Sequence, residues 1–220
     1  MKSAIAIVSF CLAGSWAVHA ADAPRPAAST LTQPKGATQP VDARGFIHRW
    51  SVLEPVPVPN RLTESAVQEA LKLAALPEAG APRDGEKVSI NGAEYAWHAL
   101  DTLHYNLNLY HFAWALSKPT SNVLFWVETI VESPREMQNV RLAIGSNAAS
   151  RWWLNGEQVI ALNDDRQSVI DDGVSHRVTL RQGRNVIRAA IINGGGATDF
   201  CARFLDASDK PIQGLTVRLQ

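Results

Sequence analysis

At residues 151–160 the chain reads RWWLNGEQVI. Asn155-Gly156 separates two runs that alternate in polarity. It is a strong hairpin signal, because a type I′ turn needs positive φ at both central residues. A second turn, RQG at residues 181–183, leads into an apolar run at 186–193, and another alternating run follows at 200–206. This part of the chain therefore predicts consecutive antiparallel strands.

Short strand patterns also fill the chain before and after this region. A second Asn-Gly pair, Asn91-Gly92, separates two of them and predicts another hairpin. The run at 123–132 is apolar on both alternating faces, which is typical of a strand that is buried on both sides. The other predicted strands are 46–53, 87–90, 94–97, 111–116, 139–144, 174–180 and 215–219.

One segment, 62–76, has helical periodicity, with Val67, Leu71 and Ala74 on one face. Many short strands with frequent turns and a single helix predict an all-β fold, an antiparallel β-sandwich with one N-terminal accessory helix. We expect the helix to cover an edge or end of the sandwich. The predicted core includes Val127, Leu142, Val178, Ile187, Ile191 and Phe204.

The N-terminal region divides into two segments ahead of the sandwich. Residues 1–20 have a positive Lys2, an apolar stretch and a small Ala20, which together predict a signal peptide and a secreted or periplasmic protein. Residues 21–44 are rich in proline and alanine and predict a flexible linker. The folded domain is expected to span 45–220, and no segment of the chain is predicted to span a membrane.

Composition narrows the function classes. The chain has 220 residues, of which 46% are hydrophobic and 19% charged, and its formal net charge is zero. This balance gives no sign of a nucleic-acid partner. Cys201 would be the one cysteine left after signal cleavage, and its place in an alternating strand beside Phe200 and Phe204 predicts a buried, inert thiol.

Several motifs resemble the galactose-binding-like jelly-roll domains, which include carbohydrate-binding modules and the sugar-binding domain of family 2 glycoside hydrolases. The resemblance lies in the WLNG motif at 153–156, the L-x-x-G-x-N motif at 180–185 and the F-x-x-R-x-L motif at 200–205. It covers the chain from about Gly45 onward. It implies a jelly-roll sandwich and is weakly specific for activity. We expect Asn155, Gly156 and Gly183 to be structural turn residues.

The hairpin also suggests a binding surface, because adjacent residues of a strand face opposite sides of the sheet. The predicted core face carries Trp152, Leu154, Val159 and Ala161, and the opposite face carries Arg151, Trp153, Gln158 and Ile160. Trp153 is thus the candidate platform on which a sugar ring stacks, with Arg151 beside it for hydroxyl groups and Trp97 nearby. An alternative is that helix or loop residues cover Trp153.

Other reactive side chains lack the spacing of known sites. Residues 97–111 contain His98, Asp101, His104 and His111, but without the regular spacing of a metal site. Asp164-Asp165 and Asp171-Asp172 offer carboxylates that suit calcium, again without a calcium-loop pattern, so no cofactor is predicted. Glu128 and Glu132 are too far apart along one strand for a glycosidase pair, and no nucleophile motif is present.

The sequence therefore predicts a secreted or periplasmic module that is not an enzyme and binds a glycan through an aromatic platform. Two alternatives remain. One is a protein-interaction or cell-surface assembly domain, whose partner would be a protein. The other is a small polysaccharide-acting hydrolase.

Overall fold

The computed structural model describes residues 31–59, 62–76 and 82–220, which form two antiparallel sheets and two helices. The helices are α1 (Glu64–Leu73) and α2 (Leu109–Ala115). The strands are β1 (Leu31–Thr32), β2 (Thr38–Pro40), β3 (Arg49–Leu53), β4 (Val56–Pro57), β5 (Lys87–Ile90), β6 (Ala93–Thr102), β7 (Leu107–Asn108), β8 (Val123–Ser133), β9 (Met137–Ser146), β10 (Ala149–Leu154), β11 (Glu157–Leu162), β12 (Gly173–Val174), β13 (Val178–Leu180), β14 (Gly183–Asn193), β15 (Asp199–Leu205) and β16 (Thr216–Arg218).

The larger sheet has 11 strands and follows the order β1-β6-β3-β8-β14-β10-β11. Strands β4 and β16 also pair with β8, β2 pairs with β16, and β5 pairs with β6. The smaller sheet has 5 strands in the order β12-β9-β15-β7, with β13 paired to β9. The all-β antiparallel sandwich predicted from the sequence is confirmed.

The main core lies between the two sheets. Ile187 and Ile191 of β14 enter it from the larger sheet, and Leu142 and Phe204 enter it from the smaller one. Five of the six predicted core residues are in this cluster, and the sixth, Val178, is partly buried and packs against it. Three further aromatic rings, those of Trp50, Trp152 and Phe200, meet edge to face in it.

A second apolar cluster lies on the outer face of the larger sheet. Because β8 is apolar on both faces, Leu124 and Trp126 point away from the main core, and α1 packs over them through Val67, Ala70 and Ala74. The expectation that the helix covers an edge or end of the sandwich is wrong. An apolar sheet face exposes far more surface than a strand edge, so the helix covers the face.

Both Asn-Gly turns have the predicted conformation. Asn155 and Gly156 have φ of 51° and 88°, and Asn91 and Gly92 have φ of 52° and 78°. The register of the first hairpin contains an irregularity that the sequence did not indicate. Trp152 is opposite Ile160 and Trp153 is opposite Gln158, which leaves Val159 as an extra residue.

This β-bulge changes which side chains share a face. Ile160, which we expected on the face of Trp153, lies in the main core with Trp152 and Val159. Ala161, which we expected in the core, is opposite Arg151 and exposed. The predicted separation of Trp152 from Trp153 still holds, because the irregularity lies in the partner strand.

The predicted strand at 111–116 is wrong, because these residues belong almost entirely to α2. Asn108 precedes the helix, and its side-chain oxygen accepts a hydrogen bond of 2.8 Å from the backbone N–H of His111. This contact is a helix N-cap, which satisfies a donor that the first turn would otherwise leave unpaired.

The predicted linker at 21–44 includes residues that belong to the larger sheet. β1 pairs with β6, and β2 pairs with β16. The guanidinium of buried Arg49 donates hydrogen bonds to the carbonyl oxygens of Lys35 and Gly36, at 2.9 and 3.0 Å. The packed structure therefore starts ahead of Gly45. The predicted signal peptide, 1–20, and the first ten linker residues lie outside the described residues. Within the described ranges no helix is long and apolar enough to cross a bilayer.

Cys201 of β15 is a buried free cysteine, with 2% of its surface exposed. Burial raises the pKa of its thiol to about 11, and the nearby carboxylates of Asp171 and Asp199 add to the rise. Since the thiolate is the reactive form, these features predict an unreactive side chain.

We therefore expect Cys201 to resist alkylation by iodoacetamide at pH 8 in the folded protein and to react within minutes in urea. A Cys11→Ser variant restricts the measurement to this thiol. Because the pKa is raised in the folded state, the unfolded chain loses this proton first. The thiol's contribution to stability is thus complete below pH 9.0 and declines as the pH rises toward about 11. Rapid alkylation of Cys201 in the folded protein, without urea, would contradict the expected resistance to iodoacetamide.

Candidate functional site

An open cleft lies on the outer face of the larger sheet, beside the part that α1 covers. Its volume is about 560 Å³, and no residue of α1 lines it. We call it the Trp153 cleft. Its lining residues are Trp126, Trp153, Asn155, Gly156, Arg181, Arg184, Val186 and Arg188.

Three neighbouring strands place these side chains. Alternation along β14 sends Ile187 into the main core and leaves Arg184, Val186 and Arg188 on the outer face. On one side of β14, Trp153 of β10 is directly opposite Arg188. On the other side, β8 contributes Trp126, which is opposite Ala190.

The two tryptophans form the apolar part of the cleft. Their ring centroids are 5.8 Å apart and the ring planes are inclined by 36°. Trp126 is buried, and its indole Nε1 donates a 2.8 Å hydrogen bond to the carbonyl oxygen of Ala74, at the end of α1. Trp153 is half-buried and keeps part of its surface in the cleft. The pair is thus a fixed aromatic surface with one accessible ring.

Arg188 lies between the aromatic surface and a buried acid. Its guanidinium carbon is 5.5 Å from the centroid of the Trp126 ring, a cation–π arrangement. Its Nε donates to a carboxylate oxygen of Glu128 at 2.6 Å, and Glu128 is only 1% exposed. Burial raises the pKa of Glu128, and the charge of Arg188 only partly opposes that rise.

Arg181 and Arg184, by contrast, are exposed at the other end of the cleft. Neither of them forms an ion pair with any residue in the described ranges. Arg184 is opposite Glu132 in the sheet, but that carboxylate accepts a 2.7 Å hydrogen bond from Arg218. The two guanidinium groups are therefore available to a ligand.

Asn185 holds the turn that presents these two arginines. It is fully buried, and its amide nitrogen donates to the carbonyl oxygens of Arg181 and Gly183 at 2.8 and 3.0 Å. Its amide oxygen accepts from the backbone N–H of Arg181 and from the side chain of Asn155, at 2.9 and 3.0 Å. Asn155 also accepts a hydrogen bond from the N–H of Val186. The predicted structural roles of the Asn155 and Gly183 turns are confirmed.

The three residues predicted to bind a ligand have different positions. Trp153 lies in the cleft, as the strand alternation requires. Trp97 is 4% exposed and packs inside the second apolar cluster. Arg151 is fully buried, and its guanidinium donates to Glu64, Asn163 and the carbonyl oxygens of Ser150 and Leu162. Because neither Trp97 nor Arg151 lines the cleft, we correct the expectation that they flank the platform.

The cleft arginines and Trp126 were not among the residues predicted from the sequence. The signal was present, because Ile187 and Ile191 were assigned to the core, and alternation then places Arg184 and Arg188 on the opposite face. Likewise, Trp126 falls on the second face of β8. Arg181 had no comparable signal, since its position depends on the turn rather than on a strand.

Several of the other candidate side chains are engaged in ion pairs. Asp101 accepts two hydrogen bonds from Arg49, at 2.7 and 2.8 Å. Asp171 is paired with Arg203, and Asp172 with Arg166. Across 31–59, 62–76 and 82–220, no group of three or more histidine, cysteine, aspartate or glutamate residues could hold a metal ion.

Comparisons with known proteins give limited similarity. No family model matches the chain, and no curated protein sequence matches it. Among solved structures, a β-glucosidase from Kluyveromyces marxianus in complex with glucose aligns with 72% of this chain at 15% identity and a TM-score of 0.40. The aligned part is 16% of that enzyme. A GH31 α-xylosidase from Xanthomonas citri aligns with 86% of this chain and 18% of its own length, at 13% identity and a TM-score of 0.31.

A family 35 carbohydrate-binding module from Clostridium thermocellum is also similar to part of the chain. It aligns with 38% of this chain and 72% of its own length, at 23% identity and a TM-score of 0.26. All three TM-scores are low. Any functional assignment must therefore come from the site itself.

Proposed function

We propose that the chain is a secreted or periplasmic, non-catalytic module of the galactose-binding-like type, which binds carbohydrate in the Trp153 cleft. The observation that supports this function is the position of Trp153. The indole is held against Trp126 by packing, yet part of its surface remains in an open cleft on a sheet face. A large aromatic side chain in such a position is typical of a binding surface.

Sugar rings suit this surface because one side of a pyranose carries mostly C–H groups, which an indole plane can cover. The surrounding arginines supply donors for hydroxyl or acidic groups. Because Trp126 already holds the Trp153 side chain in place, ligand binding costs less conformational entropy. Stacking and a few hydrogen bonds give a few kcal/mol, so we expect a Kd between about a millimolar and a micromolar.

The test is a glycan array followed by isothermal titration calorimetry of each hit, with three proteins compared. We expect Trp153→Ala to weaken glycan binding by at least about tenfold, since it removes the stacking contact. Trp114→Ala is the matched control, because Trp114 is also half-buried and does not line the cleft. It should bind like the unaltered protein.

Three results would count against the proposal. One is equal affinity of the Trp153→Ala and Trp114→Ala variants for the same glycan. Another is the absence of any glycan hit together with a reproducible protein partner in pull-down experiments, which would favour an interaction domain. The third is turnover of a polysaccharide by the pure protein, which would contradict the non-catalytic part of the proposal.

A further inference from the structure

We infer that the Trp153 cleft selects an acidic polysaccharide, one whose sugar rings carry carboxylate groups. This inference rests on the proposed carbohydrate-binding function and adds the chemical class of the ligand. The observation behind it is the charge of the cleft. Among the described residues that line it, three are arginines and none is acidic.

The charge is local, because the whole chain has a formal net charge of zero. Within the cleft, Arg188 is paired with Glu128, whereas Arg181 and Arg184 form no ion pair with any residue of the described ranges, and Arg184 acts on Glu128 only as a nearby charge. Two exposed cations in one cleft attract an anion and repel cationic ligands. A neutral glycan would form no ion pair with either arginine.

The arginines of β14 lie beside and beyond the aromatic surface, which β8 and β10 supply. Arg188 is adjacent to Trp153, and Arg184 lies four residues away on the same face of β14, about 13 Å at strand spacing. An oligosaccharide suits that backbone spacing, because it can stack one ring on Trp153 and present an acidic group of another ring to the turn.

Guanidinium groups bind carboxylates through two parallel N–H···O bonds, which adds orientation to attraction. The turn that carries Arg181 and Arg184 is fixed by four hydrogen bonds of the Asn185 side chain. The two cations are therefore partly pre-organised. With only two exposed cations, the cleft matches the charge of a uronic-acid chain, which has one carboxylate per ring, better than that of a heavily sulfated chain.

The experiment measures binding of the full chain to oligogalacturonate, oligoglucuronate and alginate oligosaccharides by calorimetry. Each acidic probe is compared with its fully methyl-esterified form, which keeps the rings and removes the charge. A sulfated galactan oligosaccharide is the third kind of probe. We expect at least one uronate oligosaccharide to bind about tenfold or more tightly than its methyl ester, with affinity that falls as salt is raised.

Variants then test which residues cause the preference for the uronate over its methyl ester. Arg181→Gln with Arg184→Gln should weaken binding of the preferred uronate at least about tenfold and leave binding of its methyl ester unchanged. The control is Arg83→Gln with Arg135→Gln, which removes the same charge from exposed residues outside the cleft. This control should keep the preference. Circular dichroism establishes that each variant is folded.

The possible negative results distinguish failure of the charge inference from failure of the proposed carbohydrate-binding function. Equal binding of the charged and esterified oligosaccharides would overturn the inference and leave the carbohydrate-binding function intact. Tighter binding of the sulfated probe than of every uronate would overturn the assignment of a carboxylate. If no neutral or acidic glycan bound at all, the proposed function itself would fail. Equal loss of uronate binding in both double variants would show that general charge, not the cleft, is responsible.

Discussion

Replacing Trp152 with alanine should lower the free energy of unfolding by about 3–5 kcal/mol, the usual cost of truncating a large core aromatic residue. Trp152 is fully buried between the sheets. Its ring centroid is 6.3 Å from that of Trp50 and 5.4 Å from that of Phe200. Its indole Nε1 donates a 3.0 Å hydrogen bond to the hydroxyl of Ser150. The cavity would be too well enclosed to collapse.

The adjacent Trp153 provides an internal comparison. Because Trp153 is half-buried, its replacement with alanine should cost only about 1–2 kcal/mol. Urea unfolding followed by circular dichroism gives both values, because the free energy of unfolding is obtained from each variant's own folded and unfolded baselines. If the Trp153→Ala variant lost as much stability as Trp152→Ala, Trp153 would be a core residue and the cleft would lose its central feature.

The second large effect is expected for Arg151→Met, which should destabilise the fold by about 3 kcal/mol. Methionine keeps much of the apolar volume of the side chain but removes the guanidinium. The carbonyl oxygens of Ser150 and Leu162 accept hydrogen bonds of 3.0 and 2.6 Å from the guanidinium, and the substitution would remove both bonds. A hydrogen bond to a charged group contributes about 1.5–3 kcal/mol to stability.

Glu64→Gln is the control for this substitution. The carboxylate of Glu64 is exposed and lies 2.6 Å from the Arg151 guanidinium, and an exposed ion pair contributes little to stability. The amide can still accept the same hydrogen bond, so the denaturation midpoint should change little. An equally large loss of stability in Glu64→Gln would show that the ion pair, rather than the carbonyl contacts, stabilises this region. No loss of stability in Arg151→Met would show that neither does.

These residues also show which features the sequence could predict. Alternation and the Asn-Gly turns predicted the sandwich, most strands and the opposite faces of Trp152 and Trp153, because both signals depend on local geometry. The β-bulge at Val159 could not be predicted, since an extra residue in one strand leaves the alternation of its partner unchanged.

The helix at 109–115 was mistaken for a strand because a short apolar, aromatic-rich run has no clear period. Asn108, three residues ahead of His111, was the available sign of a helix start.

The site was predicted only in part, for a similar reason. Trp153 could be assigned to an outer face from strand alternation alone. Whether a residue on that face is open or covered depends on packing between distant segments. Arg151 is buried by contacts with Glu64 and Asn163, and Trp97 by the second apolar cluster. Neither contact leaves a local pattern, so both residues appeared equally available in the sequence.

Trp126 of β8 contacts the end of α1 and also lines the cleft. One edge of its indole is hydrogen-bonded to the carbonyl oxygen of Ala74, and its ring lies against Trp153 and Arg188. Loss of the α1 contact would therefore remove one of the interactions that hold the Trp126 ring behind Trp153. Although α1 does not line the cleft, it thus supports the aromatic surface from behind.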